Sequence, residues 1–304
     1  MNAQGNVSRP TDRAIQDSPS ICTPLPQATT TDMPPSASRP RAGVDRLLSE
    51  RDREVLLALG KLRMLTGLQV QRLCVADGSP ATRARRTRAL LQRLADLKLV
   101  VRLGRSVGGV RAGSSGYVYG LSGNGQAVLA TSGPVGGRRR RVWEVQPSFM
   151  DHLLAITDLY VSLIEADRDG SAELMTFEAE PACWRRFPGG SGEPVTLKPD
   201  AFVRLGIGDV ELSAFVEIDM GTESAPTIAR KCGAYISYYR SGIEQNQHGV
   251  FPRVVWLANN PRSLGRISAV LHRLPREVQH LFAIAPTTAA VTALTDPGLG
   301  GPMA

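Results

Sequence analysis

Three carboxylates stand on two short apolar segments that read as neighbouring strands. Asp200 opens one segment, and Glu217 and Asp219 close the other. Residues two apart in a strand share a face, so Glu217 and Asp219 should point the same way, and an adjacent strand would bring Asp200 to them. Buried carboxylates are costly unless something positive binds them. Oxygen ligands of this kind suit Mg²⁺ or Mn²⁺, and such a metal can polarise a phosphodiester and activate water.

The segments around these carboxylates alternate between helical and strand patterns. From residue 147 to residue 285 the order is a helix, three strands, a helix, a strand, a helix and a strand. The predicted bounds are a helix from Ser148 through Glu165, strands near 174–179, 195–205 and 210–219, a helix over 226–239, a strand over 254–257, a helix over 261–274 and a strand around 281–284. The helix over 226–239 carries Lys231, Tyr235 and Tyr239. This order, of α+β or α/β type, indicates a mixed sheet flanked by helices.

Residues 45–132 show a different plan, in which three helices precede two strands. A capping box at Ser49 starts the first helix, and Ser79 followed by Pro80 starts the third. Three helices followed by a β-hairpin is the winged helix-turn-helix plan, in which the third helix enters the major groove and the hairpin lies along the backbone.

The third helix and the loop of this hairpin supply the predicted DNA-binding residues. They are Arg83, Arg85, Arg86, Arg88 and Gln92 on the helix, and Arg105 and Arg111 in the glycine-rich loop. Leu90, Leu94 and Leu97 form an apolar stripe on the side of the helix opposite Arg85, Arg88 and Gln92. The alternative is a surface helix whose arginines serve only solubility. Because Asp96 is the one acidic residue among the arginines, a helix laced with ion pairs is disfavoured and nucleic-acid binding is favoured.

Composition points to the same partner. The chain has 304 residues and a formal net charge of +8, with a pI near 9.7. A basic protein of this kind suits a polyanion, and double-stranded DNA is the first candidate. The apolar runs are too short to span a membrane, no signal-peptide pattern is present, and the four scattered cysteines form neither a zinc motif nor a disulfide framework. We therefore expect a cytoplasmic protein with no membrane partner.

The remaining segments read as tails and a linker. Residues 1–44 are rich in Pro, Ser, Thr and Gln and are predicted to be disordered. Residues 133–146 contain Gly and Pro followed by four consecutive arginines, and they are predicted to form a basic linker between the winged helix of 45–132 and the second domain of 147–285. Residues 286–304 are predicted to be weakly ordered.

The acidic segments resemble the metal-binding half of the restriction-endonuclease-like core. The resemblance rests on Pro199-Asp200 and Glu217-x-Asp219, together with the helix and strand order from 147 to 258. Asp219 stands where that superfamily usually carries Lys. The resemblance implies that Lys231 on the next helix takes the place of this lysine, with Lys198 a weaker candidate. Glu180 and His152 are further candidates for the site, although a surface acid and a core histidine are equally good interpretations.

Over its ordered length the chain also resembles the replication-relaxation family of plasmids and other mobile elements. The matching pieces occur in a fixed order from Arg83 to Tyr235. They are the helix from Arg83 to Leu99, Tyr119-Gly120-Leu121-Ser122 with Gly125, His152-Leu153, Lys198-Pro199-Asp200-Ala201, Glu217-Ile218-Asp219 with Gly221-Thr222-Glu223, and finally Lys231 and Tyr235. This resemblance implies a winged helix followed by a nuclease-like domain, and a role in plasmid replication or DNA topology.

Three functions are compatible with these patterns. The first is a DNA-binding protein of a mobile element that keeps a nuclease-like domain for binding or assembly. The second is a metal-dependent nicking endonuclease, with Asp200, Glu217 and Asp219 as ligands and Lys231 stabilising the developing charge on phosphorus. The third is a winged-helix transcriptional regulator. A covalent mechanism through Tyr235, Tyr238 or Tyr239 is disfavoured because their helical setting is apolar.

Overall fold

The first part of the fold is a set of helices around a small sheet. The structure, a computed structural model, describes residues 44–103, 117–132 and 147–296. After a 3₁₀ turn at Val44–Leu47 the elements are α1 (Glu50–Leu62), β1 (Met64–Thr66), α2 (Gly67–Cys74), α3 (Pro80–Asp96), β2 (Val100–Leu103), β3 (Val118–Leu121) and α4 (Gly123–Ser132). β1 and α4 are additions to the predicted plan. The predicted tail and linker, as well as Arg105 and Arg111, lie outside the described residues.

Side-chain caps fix where the first helices begin. The Ser49 hydroxyl accepts from the backbone N–H of Asp52, whose carboxylate accepts in turn from the N–H of Ser49. At α3 the Ser79 hydroxyl accepts from the backbone N–H of Thr82, and Pro80 is the first helical residue. Both predicted helix starts are therefore confirmed. Each cap satisfies a backbone donor that the helix itself leaves without a partner.

The small sheet has the order β1-β3-β2 and is antiparallel throughout. Leu65 and Val101 flank the central strand β3 on opposite sides. Fully buried leucines of α1 and α3, including Leu56, Leu59 and Leu94, pack in the core beside this sheet. The helices thus bury one apolar stripe each, and the opposite side of α3 faces solvent.

The second part of the fold is built on a larger mixed sheet, as predicted. Its elements are α5 (Pro147–Asp169), β4 (Glu173–Ala179), β5 (Arg185–Pro188), β6 (Pro194–Leu197), β7 (Ala201–Ile207), β8 (Val210–Asp219), α6 (Ala225–Ser241), α7 (Ile243–His248), β9 (Arg253–Ala258), α8 (Pro261–Leu271), α9 (Arg276–Gln279), β10 (Phe282–Pro286) and α10 (Ala290–Thr295). The strand order is β10-β9-β8-β7-β4. β8, β9 and β10 are parallel, whereas β7 is antiparallel to both β8 and β4.

Two segments differ from the sequence-based expectations. The strand expected over 195–205 is divided, because β6 pairs with β5 in a separate hairpin and only β7 joins the main sheet. Pro199 lies at the break, where the missing N–H would interrupt a ladder. Residues 287–295, expected to be weakly ordered, form a 3₁₀ turn and α10. The buried residues Ala290, Ala293 and Leu294 follow the helical period and attach α10 to the core.

The main sheet carries a different layer on each face. Val216 and Val255 lie in the core cluster that includes α5 and α10, and Phe215 and Trp256 lie in the cluster that includes α6 and α8. α5 also packs against α1, α2 and β1, where the Gln69 side chain donates to the Leu154 carbonyl at 3.1 Å. In the described ranges no helix combines the length and the apolar character needed to cross a membrane.

Candidate functional site

Asp200 and Glu217 are brought together by the β7–β8 pairing. Ala201 lies opposite Val216, so continuing the antiparallel register by one residue sets Asp200 opposite Glu217. The pairing does extend that far, because the Asp200 N–H donates to the Val216 carbonyl at 3.0 Å. Asp200 Oδ2 also accepts from the Ile218 N–H at 2.7 Å. Asp200 and Glu217 are therefore cross-strand neighbours, and Asp219 lies two residues further along β8.

Glu217 is bound by two donors from α6. Its side chain is 1% exposed, and Lys231 Nζ lies 2.7 Å from Oε2. The Tyr235 hydroxyl donates to Oε1 at 2.6 Å. Lys231 Nζ also lies 2.5 Å from Glu223 Oε1 and 5.5 Å from the centre of the Trp256 ring. We call Glu217, Glu223, Lys231 and Tyr235 the Glu217–Lys231 cluster.

The pKa values of Glu217 and Lys231 are both raised in this cluster. Burial, followed by the nearby charge of Asp200, raises the pKa of Glu217 to about 8, although Lys231 and Tyr235 act in the opposite direction. Burial by itself would lower the pKa of Lys231, but Glu217 and Asp200 outweigh it and raise that pKa. Lys231 is therefore a firmly protonated cation. It suits charge neutralisation and does not suit the role of a base.

Asp219 has different partners from Glu217. Its Oδ1 accepts from the backbone N–H groups of Gly221, Thr222 and Glu223 at 2.8 to 3.2 Å. Its Oδ2 accepts from Arg266 of α8 at 2.9 Å. Burial would raise the pKa of Asp219, but the backbone donors and Arg266 lower it overall. Asp219 therefore stabilises the turn that follows β8 and links it to α8.

His152 joins the site from α5. Its Nε2 lies 3.1 Å from Asp200 Oδ1, and its ring stacks with Phe149 at a centroid distance of 6.4 Å. Burial would lower the pKa of His152, but the hydrogen bond and the charge of Asp200 raise it. The candidate Glu180 lies 3.6 Å from Arg63, the residue that ends α1. Lys198 lies elsewhere, 4.8 Å from the centre of the Trp184 ring.

The carboxylates are arranged for protein partners rather than for a metal. Within the described residues, no three His, Cys, Asp or Glu side chains are grouped so that they could hold a metal ion. Asp200 is bonded to Ile218 and His152, Glu217 to Lys231 and Tyr235, and Asp219 to a turn and Arg266. In this arrangement the predicted ligands do not fit Mg²⁺ or Mn²⁺.

The tyrosines near the cluster are packing residues. Tyr235 and Tyr238 are 0% and 2% exposed, and their hydroxyls donate to Glu217 and Glu244. Burial raises the pKa of Tyr235 well above its ordinary value. A buried phenol that keeps its proton is a poor nucleophile.

The predicted DNA-binding residues of α3 differ in their exposure and in their partners. Arg85, Arg86 and Arg88 are exposed, and no carboxylate in the described part of the chain forms an ion pair with them. Gln92 is exposed and donates to Asp96 at 2.8 Å, and Arg83 is half-buried. Arg86 donates to the Asp77 carbonyl at 3.5 Å and Arg88 to the Ala84 carbonyl at 3.2 Å. These bonds leave the charges of the three exposed arginines uncompensated, so this side of α3 is cationic.

Two further contacts near α3 were not predicted. Arg93 forms an ion pair with Asp52, whose side chain is fully buried. In the hairpin, the guanidinium of Arg102 lies 4.2 Å from the centre of the exposed Tyr117 ring.

The spacing of Lys231 and Tyr235, one helical turn apart, is a sequence signal that both side chains could face one strand residue. No local signal indicated Asp52 or Arg266, since their partners are distant in the sequence.

Comparison with known proteins identifies a family. A family model described as replication-relaxation matches residues 56–254, which is well over half of the 304-residue chain. The match covers α3 and the Glu217–Lys231 cluster. No curated protein and no solved structure matches the chain.

Proposed function

Because the chain belongs to the replication-relaxation family, we propose that it is a DNA-binding protein of a plasmid or other mobile element, acting in replication or relaxation of DNA. The exposed arginine face of α3, formed by Arg85, Arg86 and Arg88, carries the proposal. Arginine suits this role because its guanidinium can donate two parallel hydrogen bonds to phosphate or guanine.

The arrangement around α3 supports a winged-helix mode of binding. The order α1, β1, α2, α3, β2, β3 and the sheet order β1-β3-β2 agree with that plan. In such a domain the third helix enters the major groove, and the hairpin lies near the phosphate backbone. Arg102 of the hairpin is exposed, so its guanidinium is available to the phosphate backbone of DNA.

The sheet of residues 147–295 is proposed to serve binding or assembly in a nuclease-like arrangement. Asp200 and Glu217 occupy adjacent strands, which supports the nuclease-like interpretation. Cleavage is not favoured, since protein donors occupy the carboxylate oxygens and Lys231 is held between Glu217 and Glu223. Lys231 then neutralises the cluster and has no catalytic role.

Duplex binding tests the proposal directly. We expect Arg85→Gln/Arg86→Gln/Arg88→Gln to lower the affinity for duplex DNA at least about 100-fold, since each lost contact to a base or phosphate costs on the order of 1 kcal/mol. The matched control is Met175→Glu/Val210→Glu/Val250→Glu, which lowers the net charge equally at three exposed apolar positions. Gel shifts at several salt concentrations give the affinities. No duplex binding by the wild-type protein, or equal losses in both variants, would refute the proposal.

The two other functions predict different results. A supercoiled plasmid incubated with Mg²⁺ or Mn²⁺ should remain supercoiled if the sheet region only binds. Conversion to open circles that disappears in Asp200→Ala would instead establish the nicking endonuclease. Mapping of bound sites separates replication from regulation, because a site near the origin supports the proposal and a promoter site supports a transcriptional regulator.

A further inference from the structure

A layer of two helices covers the sheet face that carries Phe215 and Trp256. α6 and α8 pack against each other there and bury their apolar sides. Neither helix contains an Asp or Glu residue, although together they carry five Arg and Lys residues. A helix pair with no acidic residue has no carboxylate of its own to neutralise its outer surface.

Four arginines mark the corners of this layer. Both helices connect parallel strands of one sheet, so they run in the same direction. Arg230 and Arg262 lie towards their N-terminal ends, Arg240 lies at the end of α6, and Arg273 lies just beyond α8. At 1.5 Å per residue the two ends are roughly 15 Å apart, and packed helices are about 8–10 Å apart.

All four corner arginines are exposed. Among the described residues no carboxylate forms an ion pair with any of them. The other cations of the layer are occupied, since Lys231 is bound by Glu217 and Glu223, and Arg266 by Asp219. The charge of the corners is therefore available to an external polyanion.

Small residues lie between the corners. Gly233 and Gly265 are exposed in the interiors of α6 and α8, and a Cβ added at either would meet nothing within 4 Å. Packing therefore does not require glycine at these positions, although glycine disfavours a helix interior. Ala229 and Ser237 are also exposed on α6. A surface without bulky side chains allows a phosphate backbone to approach the helices closely.

We propose that this layer, defined by Arg230, Arg240, Arg262 and Arg273, is a second contact surface for the phosphate backbone of duplex DNA. The inference rests on the proposed function, because it adds to the contacts made by α3. Arginine is better suited than lysine to bidentate contacts with phosphate. A membrane surface fits less well, since none of the exposed large apolar residues among those described lies on α6 or α8.

The salt dependence of binding measures this contribution. Each phosphate contact contributes about 0.9 to the slope of log K against log salt. We therefore expect Arg230→Gln/Arg262→Gln to reduce that slope by about 1.8 on a ~60 bp duplex, equally for specific and unrelated sequences. The control Met175→Glu/Val210→Glu lowers the net charge by the same amount at positions outside the layer. It should leave the slope near that of the wild type. Arg230→Lys/Arg262→Lys should retain most of the slope.

Each outcome bears on one of the two claims. If the wild-type protein binds duplex and Arg230→Gln/Arg262→Gln keeps its slope, the layer is not a DNA surface and the role of α3 stands. The same conclusion follows if variant and control fall equally, since net charge then explains the change. If the wild-type protein does not bind duplex of any length, the proposed function itself fails.

Discussion

The exposed arginines of α3 and Lys231 of the Glu217–Lys231 cluster have opposite surroundings. Arg85, Arg86 and Arg88 are exposed and have no carboxylate partner in the described part of the chain. Lys231 is 26% exposed and lies between Glu217 and Glu223. Under the proposed function the partners of the first set are groups of the DNA, whereas those of Lys231 are already present among the described residues. We therefore expect cations to serve binding in one region and internal stabilisation in the other.

The largest expected effect follows from removing Lys231. Above pH 8, where Glu217 is ionised, Lys231→Met leaves this carboxylate buried without its cation, and breaking a buried pair in this way costs about 3–5 kcal/mol of unfolding free energy. Urea denaturation followed by circular dichroism measures the change. The exposed control Lys198→Met should cost no more than about 1 kcal/mol, and Arg85→Met about 0.5 kcal/mol or less.

A double variant sharpens this result. Lys231→Met/Glu217→Gln removes both charges, so it should recover much of the stability that Lys231→Met loses. A loss from Lys231→Met as small as that from Arg85→Met would remove the contrast between the two regions.

Arg93 is an exception within α3, and it gives the second prediction. It lies on the arginine-rich helix, yet it is paired with Asp52, which also accepts from the Ser49 N–H at 2.8 Å and from the Ser49 hydroxyl at 2.7 Å. Asp52→Asn should lower the unfolding free energy by about 1–2 kcal/mol, since it weakens both the cap and the ion pair.

The test compares stability and DNA affinity for the same residues. Arg93→Gln should behave like Asp52→Asn in urea denaturation, and Arg85→Gln should leave stability unchanged while lowering DNA affinity. If Arg93→Gln leaves stability unchanged, this arginine belongs with Arg85, Arg86 and Arg88, and its pairing is without consequence.

Local features of the sequence predicted much of the first region. The leucine stripe of α3 and its caps depend on neighbours within four residues, and Leu90 and Leu94 are buried as expected while Leu97 is half-buried. The strand β1 was missed because three residues are too few to show alternation. α10 was missed because its Ala- and Thr-rich sequence lacks the large apolar residues that mark a core helix.

The candidate site was predictable only where the residues in contact are close in the sequence. β7 and β8 form a hairpin, so the proximity of Asp200 and Glu217 follows from alternation and register. Alternation places Asp219 on the same face as Glu217, but its partners could not be predicted in this way. β8 ends at Asp219 and the chain turns at Gly221, whose φ is +96°. A side chain at Gly221 would be strained and would approach the Asn260 amide to 3.0 Å. The contacts of His152 and Arg266 depend on tertiary packing, which no local pattern encodes.

The smallest expected effect concerns pH and separates the two regions once more. The pKa of Glu217 rises from an ordinary value of 4.5 to about 8 in the folded protein. Its contribution to stability is thus complete below pH 4.5 and is lost as pH rises through 8. Between pH 7 and pH 8 the loss should be about 1 kcal/mol. Arginines do not titrate in this range, so DNA binding through α3 should change little.

Glu217→Gln tests the assignment, since its amide does not titrate. Unfolding free energies from urea denaturation at pH 7 and pH 8 should differ in the wild-type protein and converge in Glu217→Gln. Glu193→Gln, at an exposed carboxylate in the turn between β5 and β6, should keep the wild-type dependence. An unchanged pH dependence in Glu217→Gln would mean that Glu217 is already ionised at pH 7. The cluster would then be a fully charged pair, and the two regions would differ only in where their cations find their partners.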